Sequence, residues 1–211
     1  GGADIGVRKV LGGLRVPVDC IAGTSMGALV GGTYATGKTA AEIESAVLAN
    51  DWTETFTRAG LRGDAPMRQK ISGVRYSKRM ELGISDSGLT TAGGYLITQG
   101  VEDVIRQLVA GERYSRDFSD LPIPFRAVAT DVLEGEMVIL DGGDLAGSMR
   151  ASMAIPGAFE PVRMNGAILV DGGFMRNLPV DVARQACADV VIAVMLKVAQ
   201  PTEETLNTGI E

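Results

Sequence analysis

The sequence predicts an α/β domain built on a mixed, mainly parallel sheet. Three observations lead there. Apolar runs of strand length alternate with helix-period segments between residues 16 and 196. The composition is globular, with 45% hydrophobic and 22% charged residues over 211 positions, enough for one sizeable core. A glycine-rich turn, Gly23-Thr24-Ser25-Met26-Gly27, joins the first apolar run directly to a helical pattern. No repeat, low-complexity tract or convincing boundary divides the chain, so residues 1–211 read as a single domain.

Taken in order, residues 16–22 (VPVDCIA) read as a short buried strand and 26–36 (MGALVGGTYAT) as a helix. Gly27, Gly31 and Ala35 fall at i, i+4 and i+8 of that helix, a small-residue face suited to close packing. In 40–50, Ile43, Val47 and Leu48 keep helical spacing. Residues 51–98 are polar and punctuated by Gly88, Gly93 and Gly94; they read as short strands, turns and mobile loops, a candidate cap over the site. The charges from Arg75 to Asp86 read as a solvated face, and Trp52 as a core residue rather than a membrane anchor.

Residues 100–110 (GVEDVIRQLVA) form an amphipathic helix. Pro122 and Pro124 introduce a strand at 125–130, and another follows at 136–140. Residues 144–153 are helical, with Asp144 as N-cap and Pro156 behind the end. Strands at 159–164 and 167–170 flank Asn165-Gly166, a hairpin signal. Pro179 opens a helix running to Ala188, and 189–196 (DVVIAVML) read as a fully apolar strand. The tail 200–211 is polar, a helix start or a frayed end.

The formal net charge of −6 and pI near 4.8 speak against nucleic acid as a partner, because phosphate backbones demand a basic surface. They equally disfavour a polybasic membrane patch, so any membrane contact must be apolar and local. No apolar run approaches the ~18 residues of a membrane span. Cys20 and Cys187 lie far apart in apolar segments and read as two buried free thiols. With no C-x-x-C pair and no histidine, a zinc site is short of ligands. The chain opens at Gly1-Gly2 without an initiator Met or a visible signal peptide, and reads as a fragment or processed form.

The G-x-S-x-G spacing puts a serine on a tight strand-to-helix turn, exposed to attack an acyl carbon. Gly23 and Gly27 let the backbone turn sharply, and the helix from Met26 aims its dipole at Ser25. A serine nucleophile needs a base, usually histidine, and this chain has none. Either the pattern is an accident or a carboxylate takes the proton. Two segments offer one at a strand end: Asp141-Gly142-Gly143 and Asp171-Gly172-Gly173. Asp141, followed at once by Asp144 and a helix, reads as a plain turn. Ser152 lies within a helical pattern and reads as a buried serine bonded to backbone. Met149, Met153 and Met164 read as core filling. A phosphate-binding loop is disfavoured, since no G-x-x-x-x-G-K-[ST] is present.

Gly23-Thr24-Ser25-Met26-Gly27, followed by Asp171-Gly172-Gly173 with Asn177 and Pro179, resembles the bacterial patatin-like phospholipases. Arg150-Ala151-Ser152 with Pro156, Phe159 and Pro161, and Phe125 to Asp131, resemble them too; together these cover most of residues 1–196. The resemblance implies a three-layer α/β/α fold and a Ser–Asp dyad that hydrolyses acyl esters of phospholipids and other lipids without calcium or another cofactor. It implies Ser25 as nucleophile and Asp171 as base, with Gly23, Gly27, Gly172 and Gly173 supporting the turns. Transient contact with a membrane surface follows, and a bacterial secreted or envelope-associated location is slightly favoured. A carboxylate ordinarily titrates near ~4 and is a weak base, so such a dyad needs a partly buried, dry site.

The family's oxyanion loop has the form Gly-Gly-Gly-x-Arg/Lys-Gly after a strand. Here the chain begins Gly1-Gly2-Ala3-Asp4-Ile5-Gly6, without that basic residue or strand, while residues 3–11 resume the family's following helix. Gly1, Gly2 and the N–H of Met26 are the oxyanion candidates. Alternative readings are a broader esterase, thioesterase or acyltransferase, or a non-catalytic lipid-binding module on the same scaffold.

Overall fold

The computed structural model describes residues 2–50, 82–85, 88–91, 98–111 and 114–195. The elements are α1 (Gly2–Gly13), β1 (Ile21–Thr24), α2 (Met26–Ala35), α3 (Ala40–Ala49), β2 (Leu82–Ser85), β3 (Gly88–Thr91), α4 (Thr98–Leu108) and β4 (Tyr114–Ser115). After a 3-10 turn at Phe118–Asp120 come β5 (Phe125–Asp131), β6 (Glu136–Leu140), β7 (Gly143–Asp144) and α5 (Leu145–Ser152). They are followed by β8 (Val162–Met164), β9 (Ala167–Asp171), α6 (Gly173–Arg176) and α7 (Val180–Ala186). Most of the 51–98 excursion, with Trp52 and most of the Arg75–Asp86 run, lies outside the described residues, as does the 200–211 tail. What is described there is the antiparallel pair β2–β3, two of the expected short strands.

β5 is the centre of the main sheet. β1 pairs with its first half in parallel, from Ile21 opposite Phe125 to Thr24 opposite Val128. β9 pairs with its second half antiparallel, from Ala129 opposite Asp171 to Asp131 opposite Leu169. β6 runs along Ala127–Asp131 and occupies the other edge. β1 and β9 therefore share one edge of β5 and meet there with their C-terminal ends facing.

The α/β class stands, with a mixed sheet. Its expected parallel majority does not: among the described residues only β1–β5 is parallel. The cause is local. Residues 132–135 close β5 onto β6, and Asn165-Gly166 close β8 onto β9; such short links permit antiparallel pairing only. Asn165 and Gly166 both take positive φ (51° and 85°), the two-residue turn that the Asn-Gly pair favours.

Strand alternation sorts the layers. Phe125, Ala127 and Ala129 join the core beneath α2, α4 and α5. There a Cβ on Gly31 would stand 2.8 Å from Ile21 Cγ2, and one on Gly32 would stand 2.9 Å from Met149 Sδ. The missing side chains let α2 lie close on β1 and α5. Thr24, pointing the opposite way from Gly23, donates its hydroxyl to the carbonyl of Arg176 at 2.8 Å, which places α6 on the other face. α7 lies there too, against β1 and β5, with Val182 buried. This is the three-layer arrangement.

Met149 and Met153 are buried and Met164 packs against the core, as expected. α4 buries Val101, Val104, Ile105 and Leu108 on one stripe. Asp144 precedes α5 but its side chain caps nothing; it pairs instead with Arg106 of α4 at 3.2 Å. In α3, capped by the reciprocal Thr39–Glu42 bonds, Ile43 is buried while Leu48 is 78% exposed.

Three further expectations are corrected. β1 starts at Ile21 rather than at residue 16; the approach contains Pro17, which has no N–H to donate, and is largely exposed. The expected strand at 189–196 is irregular over its described part, with Val190 84% exposed. An apolar run becomes a strand only beside a partner, and no described strand pairs with it. Cys20 and Cys187 are not free thiols but a disulfide, with Cα atoms 6.2 Å apart. The fold lays the end of α7 beside the approach to β1, and Cys187 is exposed.

That disulfide closes a separation of 167 residues. Cys187→Ser is expected to lower unfolding stability by about 2–4 kcal/mol. Urea denaturation without reductant measures this, and dithiothreitol should bring wild type to the variant's midpoint.

Candidate active site

The site forms where β1 and β9 meet. Thr24 and Asp171 are partnered by consecutive residues of β5, Val128 and Ala129. The register thus sets Ser25, the next residue after β1, beside Asp171 at the end of β9. No hairpin or local contact brings them together; β5 does.

Ser25 has φ 55° and ψ −124°, outside the region ordinary residues occupy. A conformation of this kind costs of order 1–3 kcal/mol and persists only where its surroundings hold it. The surroundings here are specific. A Cβ on Gly23 would lie 2.5 Å from the carbonyl oxygen of Gly27, so the strand end and the first turn of α2 touch backbone to backbone. The carbonyl of Ser25 accepts from the N–H of Ala28 at 2.9 Å and of Leu29 at 3.1 Å, which starts the helix. The N–H groups of Met26 and Gly27, in the first turn, have no intrahelical acceptor and stand at the positive end of the helix dipole. Ser25 itself is half-buried and Met26 is exposed.

Asp171 is 5% exposed. Its Oδ1 accepts from the N–H of Gly173 at 2.7 Å. Its Oδ2 is buried and has no hydrogen-bond partner among the described residues. A buried carboxylate oxygen left unbonded is costly, and its lone pairs stand open to a hydrogen-bond donor. The main chain around it is tied on both sides. The N–H of Asp171 donates to Ala154 at 2.9 Å, and its carbonyl accepts from the Thr130 hydroxyl at 3.1 Å. A Cβ on Gly172 would collide with the carbonyl of Val128, so the chain can leave β9 only through glycine.

Asp141 is exposed, the chain bends after it at Gly142, and its carbonyl accepts from the N–H of Phe118 at 2.6 Å. Gly2 opens α1 in an exposed position with no described hydrogen bond to the Ser25 turn, and Gly1 lies outside the described residues. Ser152 is buried and bonded to backbone, as expected, and the backbone lies outside its own helix: its hydroxyl donates to the Val128 carbonyl at 2.6 Å and accepts from the N–H of Ser25 at 2.9 Å. Thr24 and Thr130, which fasten the strand ends, carry no signal in the sequence beyond their place in apolar runs. Arg150 and Phe159 clasp the segment after α5. The guanidinium lies 5.2 Å from the ring centroid and donates to the Glu160 carbonyl at 2.9 Å.

A strained serine between strand and helix thus adjoins, across a glycine-tight sheet junction, the strand end that carries a buried aspartate. The family model described as patatin-like phospholipase matches residues 1–184. This chain belongs to the patatin-like phospholipase family, and membership points to hydrolase activity. It is similar, at 33% identity over 196 residues, to proteins of Mycobacterium bovis and Mycobacterium tuberculosis described as uncharacterized NTE family proteins; the match covers 93% of this chain and 46% of theirs. It is also 29% identical over 199 residues to patatin-like phospholipase domain-containing protein 7 of Rattus norvegicus, covering 92% of this chain and 12% of that protein. With the human patatin-like phospholipase domain-containing protein 6 it shares 28% over 213 residues, or 99% of this chain and 13% of that protein. The chain thus spans less than half the length of these relatives.

The glycines of the serine turn are not equivalent. Gly23→Ala drives a Cβ into backbone and is expected to cost roughly 3 kcal/mol. A Cβ on Gly27 meets no described atom within 4 Å, and Gly27→Ala is expected to fold at least as stably as wild type, by up to about 1 kcal/mol. Thermal melts of the two variants measure the contrast.

Proposed function

We propose that the chain is a lipid acyl hydrolase of phospholipase A type, working through a Ser25–Asp171 dyad. The observation that carries this reading is the pairing of a strained Ser25 with an unbonded, buried Asp171 Oδ2 at neighbouring positions along β5. Asp171 Oδ2 takes the hydroxyl proton as Ser25 Oγ attacks the ester carbonyl carbon. The negative charge that forms on the carbonyl oxygen is met by the free N–H groups at the start of α2, Met26 first. Gly1 and Gly2 are the further candidates for that role. The tetrahedral intermediate collapses, the bond to the leaving alcohol breaks, and Asp171 returns the proton to that alcohol. Water then attacks the acyl-enzyme, giving its proton to Asp171, and the fatty acid leaves as Ser25 recovers its hydrogen.

The substrate class follows from the family, in whose relatives' names phospholipase recurs. Met26, 40% exposed beside the nucleophile, and Phe174 and Met175 on α6 behind the base, at 65% and 48%, suit an acyl chain or transient contact with a lipid surface. The acidic net charge leaves that contact to apolar groups.

A fluorophosphonate probe is expected to label wild type on Ser25 and to spare Ser25→Ala. Asp171→Asn should fold normally and lose roughly 10^2- to 10^4-fold in kcat, while Asp141→Asn stays at wild-type activity. The reverse result for the two aspartates would move the base to the other strand end. A carboxylate base must be ionised to accept a proton, so kcat is expected to fall on the acid side. A rate that stays flat down to about pH 3, where carboxylates are ordinarily protonated, overturns the carboxylate base.

A further inference from the structure

We infer that Ser152 is a positioning residue for the Ser25–Asp171 pair: its hydroxyl fixes the nucleophile's backbone and its carbonyl fixes the chain just beyond the base. The inference rests on the dyad reading above.

Ser152 ends α5 and is fully buried. A hydroxyl has one proton to give. Here it goes to the Val128 carbonyl, 2.6 Å away, and that commitment turns a lone pair toward the N–H of Ser25 at 2.9 Å. The result is a continuous chain, N–H to hydroxyl to carbonyl, across the junction where β1 and β9 both end. A ladder bond cannot form there, because Ser25 has swung into its positive-φ turn. The hydroxyl takes the place of the missing rung.

The same residue reaches the base. The Ser152 carbonyl accepts from the N–H of Gly172 at 3.3 Å, and two residues later Ala154 accepts from Asp171. Val128 is common to both sides: its carbonyl receives the Ser152 proton, and Gly172 has no Cβ to strike it. One residue thus holds the backbone at the nucleophile and at the base, so its loss should disturb their mutual geometry more than the fold.

Ser148 supplies the matched control. It lies one turn earlier on α5, is equally buried, and its hydroxyl has no partner among the described residues. Ser148→Ala removes the same atom from the same helix without touching the site.

The experiment measures fluorophosphonate labelling rate, and kcat and KM on a soluble short-chain nitrophenyl ester, for wild type, Ser152→Ala and Ser148→Ala, each normalised to its folded fraction. Ser152→Ala is expected to lose about 10- to 100-fold in labelling rate and kcat with KM unchanged, since small misplacements of reacting groups cost that much. Ser148→Ala should match wild type. If Ser152→Ala does not fold, Ser152→Cys, whose thiol is a weak donor and acceptor, is expected to give a partial loss. Wild-type rates in either folded Ser152 variant, an equal loss in Ser148→Ala, or a loss carried wholly in KM overturns the positioning role. Peptide mapping that places the label on Ser152 overturns it as well. A wild type that takes no label at Ser25 overturns the dyad itself, a distinct result.

Discussion

The C-terminal ends of β1 and β9 share one edge of β5, and everything at the site depends on how closely the backbones approach there. Gly23 lies against the first turn of α2, and Gly172 lies against the Val128 carbonyl. Neither approach leaves room for a Cβ. The closeness is what brings a serine and an aspartate, 146 positions apart in sequence (171 − 25), to neighbouring places on one strand. It also forces Ser25 into a conformation that only a well-held backbone sustains.

Holding that backbone is the work of the layers on either side. On one face, α2 sinks onto β1 and Phe125 through Gly31 and Gly32, and α5 brings Met149 and Ser152 against the same strands. On the other, α6 is fastened by Thr24 and follows directly from the base. Asp171 is constrained through main chain and through Oδ1, yet Oδ2 is left unbonded among the described residues. In a folded interior an unbonded carboxylate oxygen is a cost without return unless another group uses it. With no histidine in the chain, the proposed dyad gives that oxygen a use, as acceptor of the Ser25 proton.

Some elements are legible in the sequence because short-range physics alone dictates them. Asn165-Gly166 between two apolar runs can scarcely do anything but form a tight hairpin. The stripe Val101, Val104, Ile105 and Leu108 fixes both the helix and its buried face. Gly-x-Ser-x-Gly between a strand and a helix marks the turn, and two aspartates before Gly-Gly narrow the base to a pair. Other features need long-range contacts. Pairing direction follows from which links are short. Cys20 and Cys187 meet because α7 packs on β1. Asp144 leaves its cap for Arg106 because α4 lies near. Residues 189–195 stay irregular because an apolar run needs a neighbouring strand.

By itself, the sequence determined the residue types and the turns: a serine that must sit on a sharp bend, glycines where backbones crowd, and an inventory without histidine, which leaves carboxylates as the candidate bases. Those are consequences of covalent geometry and side-chain inventory, which no packing alters. Tertiary structure set the end of β9 against the end of β1, because only their registers along β5 fix where the two strands meet. It also decided that Ser152 bonds outward to Ser25 and Val128 rather than into its own helix. A hydroxyl takes the partner that folding brings within reach, and that partner lies 127 residues away in the chain.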